Sequence, residues 1–337
     1  MKANTVCSVV ALGLLACASE DSLTDPSTKI KHEAAATAAY AVTDLGTLGG
    51  GYALATAIND QGTIVGTSTT ADNVATHAFI RRNGTMTDLG TLGGDYSEAW
   101  GINAAGQVVG WSTLAGDPNA EAPHAVLWSS GSATDLGTLG GRYSRAYDIN
   151  AGGSVVGYSE TALGETHGFL WSHGAMTDLG PLTAYAINAA SRVAGATNLA
   201  ALWDRGVLTG LGSLGGNQST AWGINAAGQV VGSSSLAGNE DTRHAFVWDH
   251  DVMTDLGSIG ADYSEGYGIN AAGHVVGAFR TLDSNVRPYV WQDGIMSELP
   301  TLGGTVSEAR GINAAGWIVG NSQTPGDEAH ATLWMPR

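Results

Sequence analysis

The ten residues GINAAGQVVG occur twice in this chain, at Gly101–Gly110 and Gly223–Gly232. Looser copies read AINDQGTIVG, DINAGGSVVG, AINAASRVAG, GINAAGHVVG and GINAAGWIVG. Seven copies of one phrase make the chain an array of one small supersecondary unit, and the array governs everything after Ala39. Taking the acid of the DLGTLGG phrase as marker gives Asp44, Asp88, Asp135, Asp178, Gly210 in an acid's place, Asp255 and Glu298. The spacings are 44, 47, 43, 32, 45 and 43 residues. Each unit reads xMTDLG, TLGGxYS, EAxGIN, xVVGxS, a variable loop, then HAFxW and a short turn. That is four short β-type runs punctuated by turn signals, with no helical window. Gly at 49 residues, charged residues at 13% and ten Trp against four Phe suit short strands and tight turns. Four strands per about 45 residues is the arithmetic of a propeller blade.

The turns carry their own mechanism. In I-N-A-A-G the Asn side chain can close the turn and the Gly can take a left-handed conformation at its end. The Asn stands in all seven units (Asn59, Asn103, Asn150, Asn188, Asn225, Asn270, Asn313), and so does the Gly of VVG. Residues that every copy keeps serve folding, since catalysis needs one site. Tight turns join AxxIN to VVGxS and HAFxW to MTDLG, so the strand order within a unit is AxxIN, VVGxS, HAFxW, MTDLG. In that frame Ala41–Gly46 is an orphan fourth strand, while the last unit stops at Arg337 with three. The first strand can complete the last blade and remove the exposed edges; an open solenoid would want capping repeats instead. The expectation is an all-β, seven-bladed propeller of four-stranded antiparallel blades over residues 39–337, its ring closed by the N-terminal strand.

The HAF-LW core with DLGTLGG and GINxxGxVVG resembles the bacterial extracellular HAF-repeat family, from about Tyr40 to Trp334. The departures are HAV at His124, HGF at His167, HAT at His330, NLAAL at Asn198, RPYV at Arg287 and a fourth unit of 32 residues. The resemblance implies an exported, propeller-forming repeat protein with no assigned activity.

The N-terminus fits that compartment. Lys2 supplies a positive charge, VCSVVALGLLA is apolar but too short to span a bilayer, and Leu14-Leu15-Ala16-Cys17 resembles a lipobox. Residues 1–16 read as a signal peptide and Cys17 as the lipidated residue; an ordinary signal cut near Ala18 is the alternative. Cleavage removes Cys7, so the body has no disulfide, thiolate zinc site or cysteine nucleophile. Residues 17–38, polar then Ala-rich, read as a flexible tether. The expected location is the bacterial cell envelope, outer membrane or cell surface, and the expected state is a monomer.

Several recurrent residues invite chemistry and are better read as structure. His77, His124, His167, His244 and His330 each begin the third strand of a different blade, on the order of 10 Å from their neighbours. That is too far to share a metal that wants nitrogens at about 2 Å. Their ring nitrogens are expected to satisfy backbone groups. The terminal Trp of HAFxW (Trp128, Trp171, Trp203, Trp248, Trp291, Trp334) should pack between blades, with the Arg81 wedge the loosest. The DLG acids read as caps for the TLGG turn. No DxDxDG-type calcium spacing occurs, and no cofactor or metal is implied.

The first strand is more informative, because propellers place it beside the central channel. Its variable position reads Thr56, Trp100, Tyr147, Tyr185, Trp222, Tyr267 and Arg310. Those five aromatics can pack between blades or form a ring at the channel mouth able to stack on sugars or hold cations. Asp148, in place of Gly or Ala, and Arg310, in place of an aromatic, are charges the repeat does not need, and such inconsistencies mark sites. They stand four units apart, which speaks against pairing across the ring.

The TLGGxYS loops and the VVGxS-to-HAF loops share one face and carry fifteen acids against five bases. The opposite face carries five of each, within a net charge of −17. Nucleic acid is excluded as a partner for the acidic face, and membrane contact is expected only through the lipid. Two functions remain. One is a non-catalytic binding or scaffold module presenting a glycan, cation or protein site on the acidic face. The other is an extracellular polysaccharide lyase or hydrolase at the channel mouth, with Tyr147, Asp148, Tyr185 and Arg310 as its groups. No GxSxG, HExxH or phosphate loop supports catalysis.

Overall fold

The computed structural model describes residues 31–32, 39–117 and 121–337. Among these every regular element is a β-strand, and no helix is long and apolar enough to cross a membrane. The signal peptide, Cys17 and nearly all of the tether lie outside the described residues.

Each copy of the phrase forms an antiparallel four-stranded meander in the order expected. The third unit is typical: Gly140–Ile149, Val155–Thr161, Thr166–Ser172 and Ala175–Asp178 pair in sequence. The short fourth unit keeps the order with Thr183–Ile187, Val193–Ala196, Ala200–Asp204 and Val207–Gly212. Tyr40–Gly46 pairs antiparallel with Ala329–Pro336, Val42 opposite Trp334, so the last sheet takes its fourth strand from the other end of the chain. Lys31–His32 adds a short parallel strand beside Ile295–Glu298. None of the sheets closes on itself.

Every apolar cluster straddles two neighbouring units. Val65, Ala78, Val108 and Trp128 join the first and second, and Ala53, Phe79, Val319 and Leu333 join the first and seventh. The terminal tryptophans serve as seam residues. Trp128 and Trp334 are fully enclosed, and Trp171 packs partly buried against the preceding unit. The Arg81 seam is not simply loose, however. Trp317 fills it from the opposite side, stacking over Gly62 and joining the same cluster. Arg81 and Arg82 line a cavity of about 400 Å³ beside it.

The IN-turn asparagine performs two tasks at once. Its Oδ1 accepts the amide four residues on in all seven units, at 2.9–3.0 Å. The residue after the turn takes positive φ, as Gly62 does at 75°, with Ser191 supplying that conformation at 61° in the fourth unit. The Nδ2 meanwhile donates to the backbone carbonyl of the next unit's asparagine at 3.1–3.3 Å. The bonds run Asn59, Asn103, Asn150, Asn188, Asn225, Asn270, Asn313 and back to Asn59. All seven side chains are buried. The phrase is therefore a turn and a link between units together.

Candidate functional site

In each inner strand the pairing with the next strand slips by one residue at the same point, between Ala99 and Gly101 in the second unit and at the matching place in the other six. The extra residues are Thr56, Trp100, Tyr147, Tyr185, Trp222, Tyr267 and Arg310. A β-bulge leaves its extra residue unpaired and re-aims the side chain. The Gly of VVG makes the bulge possible. A Cβ on any of the seven would sit 1.8–2.1 Å from the carbonyl oxygen two residues before the bulge residue, as at Gly110 against Glu98.

The bulges bring every channel candidate to one place. Thr56, Trp100, Tyr147, Asp148, Tyr185, Trp222, Tyr267 and Arg310 all line a cavity of about 460 Å³, joined by Ile58, Ile102, Ile224, Ile269 and Ile312, each two residues further along its inner strand. The aromatic residues also touch one another, so packing and lining coincide. Ring centroids are 5.5 Å apart for Trp100–Tyr147, 5.2 Å for Tyr147–Tyr185, 4.5 Å for Tyr185–Trp222 and 6.4 Å for Trp222–Tyr267. The arc ends where the Arg310 guanidinium lies 4.0 Å over Tyr267.

The residue two positions before each bulge divides this arc in two. Glu98 accepts both the Trp100 and Trp111 indole N–H groups at 3.0 Å. Glu265 accepts the Tyr267 hydroxyl and lies 3.7 Å from Arg243, and Glu308 pairs with Arg310. These tie down units two, six and seven. In units three to five the matching residues are Arg145, Thr183 and Thr220. Arg145 turns away to lie 4.4 Å over Trp111. Tyr147, Tyr185 and Trp222 thus form an aromatic arc without an acidic neighbour two residues before any of them, successive rings tilted by about 50°. Burial pushes the Tyr147 and Tyr185 hydroxyls up, so both remain proton donors. Two donors on the cavity-lining side chains are buried without a partner, Trp222 Nε1 and Arg310 Nε.

Asp148 and Arg310, the two irregular charges, do not meet, and each is answered locally. Asp148 accepts the amide of Ile149 at 2.8 Å and, from the next unit, that of Ile187 at 2.9 Å. Elsewhere this position is a Gly or Ala because the neighbouring inner strand crowds it; a Cβ on Gly223 would lie 3.0 Å from the Tyr267 carbonyl. Desolvation pushes the Asp148 carboxyl up to about 6, the two amides opposing the shift. Burial alone would lower the Arg310 pKa, but Tyr267 and Glu308 hold it above the ordinary value.

The HAF histidines differ from expectation in their partners. They bond the DLG acids, not backbone groups: His77–Asp88 at 2.6 Å, His124–Asp135 at 2.8 Å, and His330 to Asp44 across the chain ends at 2.8 Å. His167–Asp178 and His244–Asp255 are both 2.9 Å. The acids do cap a turn, but the amide they accept is that of the Gly in DLG itself, 2.7 Å from Asp178 to Gly180. Where His becomes Arg287 the acid becomes Glu298, 3.6 Å away. Where it becomes Leu199 the acid is Gly210. The two positions change together, a signal present in the sequence and missed there. Among the described residues no three His, Cys, Asp or Glu side chains group as metal ligands do.

No family model matches the chain, and no curated protein matches it. Solved structures do. The β-propeller domain of the trilobed protease from Pyrococcus furiosus, described as having an open velcro topology, aligns at 10% identity over 84% of this chain and 95% of that one, with a TM-score of 0.57. The acylaminoacyl peptidase from Pyrococcus horikoshii aligns at 12% identity over 87% of this chain and 53% of that one, TM-score 0.53. A chain of the mitotic checkpoint complex aligns at 11% identity over 98% of each, TM-score 0.50. At such identities the likeness speaks for architecture alone, and with the four-stranded antiparallel sheets it makes this an all-β protein of β-propeller fold.

Proposed function

We propose that the chain is a closed, seven-bladed propeller of the HAF-repeat kind, exported and tethered by a lipid on Cys17, that binds a ligand through its cavity from the acidic loop face without transforming it. Closure is supported by the Tyr40–Gly46 strand in the last sheet and by the asparagine bonds that return to Asn59. It is supported also by an apolar cluster shared by first and last units. Export and tethering rest on the LLAC segment. Replacing Cys17 by Ser should release the protein from the membrane fraction; its retention there would overturn the lipid anchor.

The observation that carries the binding reading is the convergence of all seven bulge residues on one cavity. A concave pocket of this size, lined by aromatic rings and isoleucines together with Thr56, Asp148 and Arg310, is the usual form of a small-molecule site. The lyase or hydrolase reading is weakened by Asp148, the candidate acid, whose two oxygens already face backbone amides. The test exposes the full-length chain to arrayed glycans, alkylammonium compounds and peptides, then analyses any bound ligand by mass spectrometry. Intact ligand supports the module. A new reducing end or an unsaturated sugar supports the enzyme and overturns it.

A further inference from the structure

We infer that the cavity takes an organic cation that brings no N–H donors, a quaternary ammonium group, held against the faces of Tyr147, Tyr185 and Trp222 and countered by Asp148. This rests on the binding-module reading and names its ligand class. Two charged side chains line the cavity, and they differ in how their charge is met. Arg310 pairs with Glu308. Asp148 accepts the amides of Ile149 and Ile187, and no positive group bears on its carboxyl, which titrates near 6 through desolvation opposed by those two amides. A carboxylate taken from water without a positive partner is costly, and a cation in the cavity offsets that cost. The place of Asp148 matters as much as its charge. It follows Tyr147 directly and bonds the inner strand that carries Tyr185, so its carboxylate ties together the two strands that bear those rings.

The chain already lays its own cations on aromatic faces. Arg145, Arg280 and Arg310 lie 4.4, 4.5 and 4.0 Å over Trp111, Tyr263 and Tyr267, the last of these inside the cavity. Among the described residues none lies over Tyr147, Tyr185 or Trp222. Those three ring centroids are 5.2 and 4.5 Å apart. Rings so spaced around the proposed seven-fold circle stand about 6 Å from its axis, the reach of cation–π attraction, so one group near the axis can address all three. Their mutual tilts of 51° and 50° make a faceted wall, which suits a rounded head group better than a flat one. Hydrogen bonding narrows the class further. Glu98, Glu265 and Glu308 already accept from indole, phenol or guanidinium donors. A primary ammonium or a guanidinium would bring several N–H donors to carboxylates that are already bonded; a quaternary ammonium brings none. A metal ion wants several convergent oxygens, and the described residues form no such group. The acidic loops draw cations toward the face and repel anions.

The repeat supplies its own control. The place of Asp148 is held by Ala57, Gly101, Ala186, Gly223, Gly268 and Gly311 in the other units, so the fold does not require a carboxylate there. Asp148→Asn removes the charge and keeps an acceptor for the backbone amides. Tyr185→Leu keeps an apolar side chain and removes the middle ring of the three, whereas Tyr185→Phe keeps the ring.

The experiment titrates the full-length chain by calorimetry at about pH 7.5, where Asp148 is ionised. The probes are choline, its uncharged carbon isostere dimethylbutanol, a peptide carrying trimethyl-lysine, the same peptide unmethylated, and neutral gluco-oligosaccharides. Choline or the methylated peptide should bind about tenfold or more tighter than its uncharged or unmethylated counterpart. Tighter binding of choline identifies a free small molecule as the source of the ammonium, and tighter binding of the peptide a modified protein. Asp148→Asn and Tyr185→Leu should each weaken the cation about three- to thirtyfold while leaving the isostere nearly unaffected, and Tyr185→Phe should lose less than Tyr185→Leu. Equal affinity for choline and its isostere, with no preference for the methylated peptide, overturns the cation assignment. Cation binding that neither Asp148→Asn nor Tyr185→Leu alters overturns the assigned site. A gluco-oligosaccharide bound in preference and recovered intact overturns the ammonium class and leaves the binding module standing. No binding by any probe also overturns the ammonium class, and a hit in the wider array then keeps the module.

Discussion

In each unit two positions three residues apart, one inside the inner strand and one just past its end, behave in opposite ways. The asparagine of the turn is identical in seven units, buried and bonded to its neighbours in a cycle. The bulge residue just before it is Thr, Trp, Tyr, Tyr, Trp, Tyr or Arg, and its neighbours bond it differently from unit to unit. The two stand within three residues of each other in every unit, so closeness along the chain does not make them alike. Backbone demand sets them apart. The asparagine answers amide and carbonyl groups that every unit presents, whereas the bulge residue has been released from the ladder and answers only to the cavity.

The largest test of that contrast attacks the bulge's support. Gly232→Ala places a Cβ 1.9 Å from the Thr220 carbonyl, and should cost about 3 kcal/mol or more in denaturant unfolding. Gly210→Ala, with open space around it and no positive φ, should change stability by less than about 0.5 kcal/mol. Next comes the asparagine layer. Asn188→Ala leaves the Arg192 amide and the Asn225 carbonyl without their partner, and should cost about 2–3 kcal/mol.

Asp148 comes third and is read through pH. Its folded carboxyl titrates near 6, above the ordinary value of 3.8, so the folded chain holds that proton more tightly than the unfolded chain. The resulting stability is full below about pH 4 and is lost as pH rises toward 6 and beyond. Relative to Asp148→Asn, stability should fall by about 2 kcal/mol between pH 4 and 6.5, a shift of this kind being worth about 1.4 kcal/mol per unit before water in the cavity screens it. A flat difference would mean the carboxyl is not desolvated. His124→Ala breaks a partly exposed pair with Asp135, and should cost under about 1 kcal/mol with ligand binding unaltered. Trp222→Phe removes no hydrogen bond but trims a ring packed on Tyr185 and Tyr267; it should cost under about 1 kcal/mol in the melt and should register in ligand affinity.

The sequence made the repetitive half of this comparison plain. Strand order, the turn asparagine and the pairing of Ala41–Gly46 with the last unit follow from spacing alone, because local turn chemistry fixes them. The bulge was also written there, as a Gly in mid-strand in every unit, which signals close backbone approach; its consequence for where Trp100 or Tyr185 points needs the neighbouring strand. The links between Glu98 and Trp100, or Glu308 and Arg310, are a period-two relation along one strand, legible in retrospect. Trp317 was not legible: an indole in a turn position that elsewhere holds Thr63, Gln107 or His274 reveals its role only across a seam. The unpartnered Trp222 Nε1 belongs with the period-two links, since Thr220 stands where the second unit has Glu98.

The asparagine cycle has one further consequence. Every member gives its side-chain amide forward and receives from behind, so the cycle has a sense of rotation but no beginning. The point at which the array of units starts is marked where Tyr40–Gly46 borrows its place in the sheet of Ala329–Pro336. Joining those ends and reopening the chain in an exposed turn, beside Gly116 or Gly164, would move the origin while leaving each asparagine its two neighbours. The order of the units is thus a matter of circular sequence, and which of them is first is an accident of where the chain was cut.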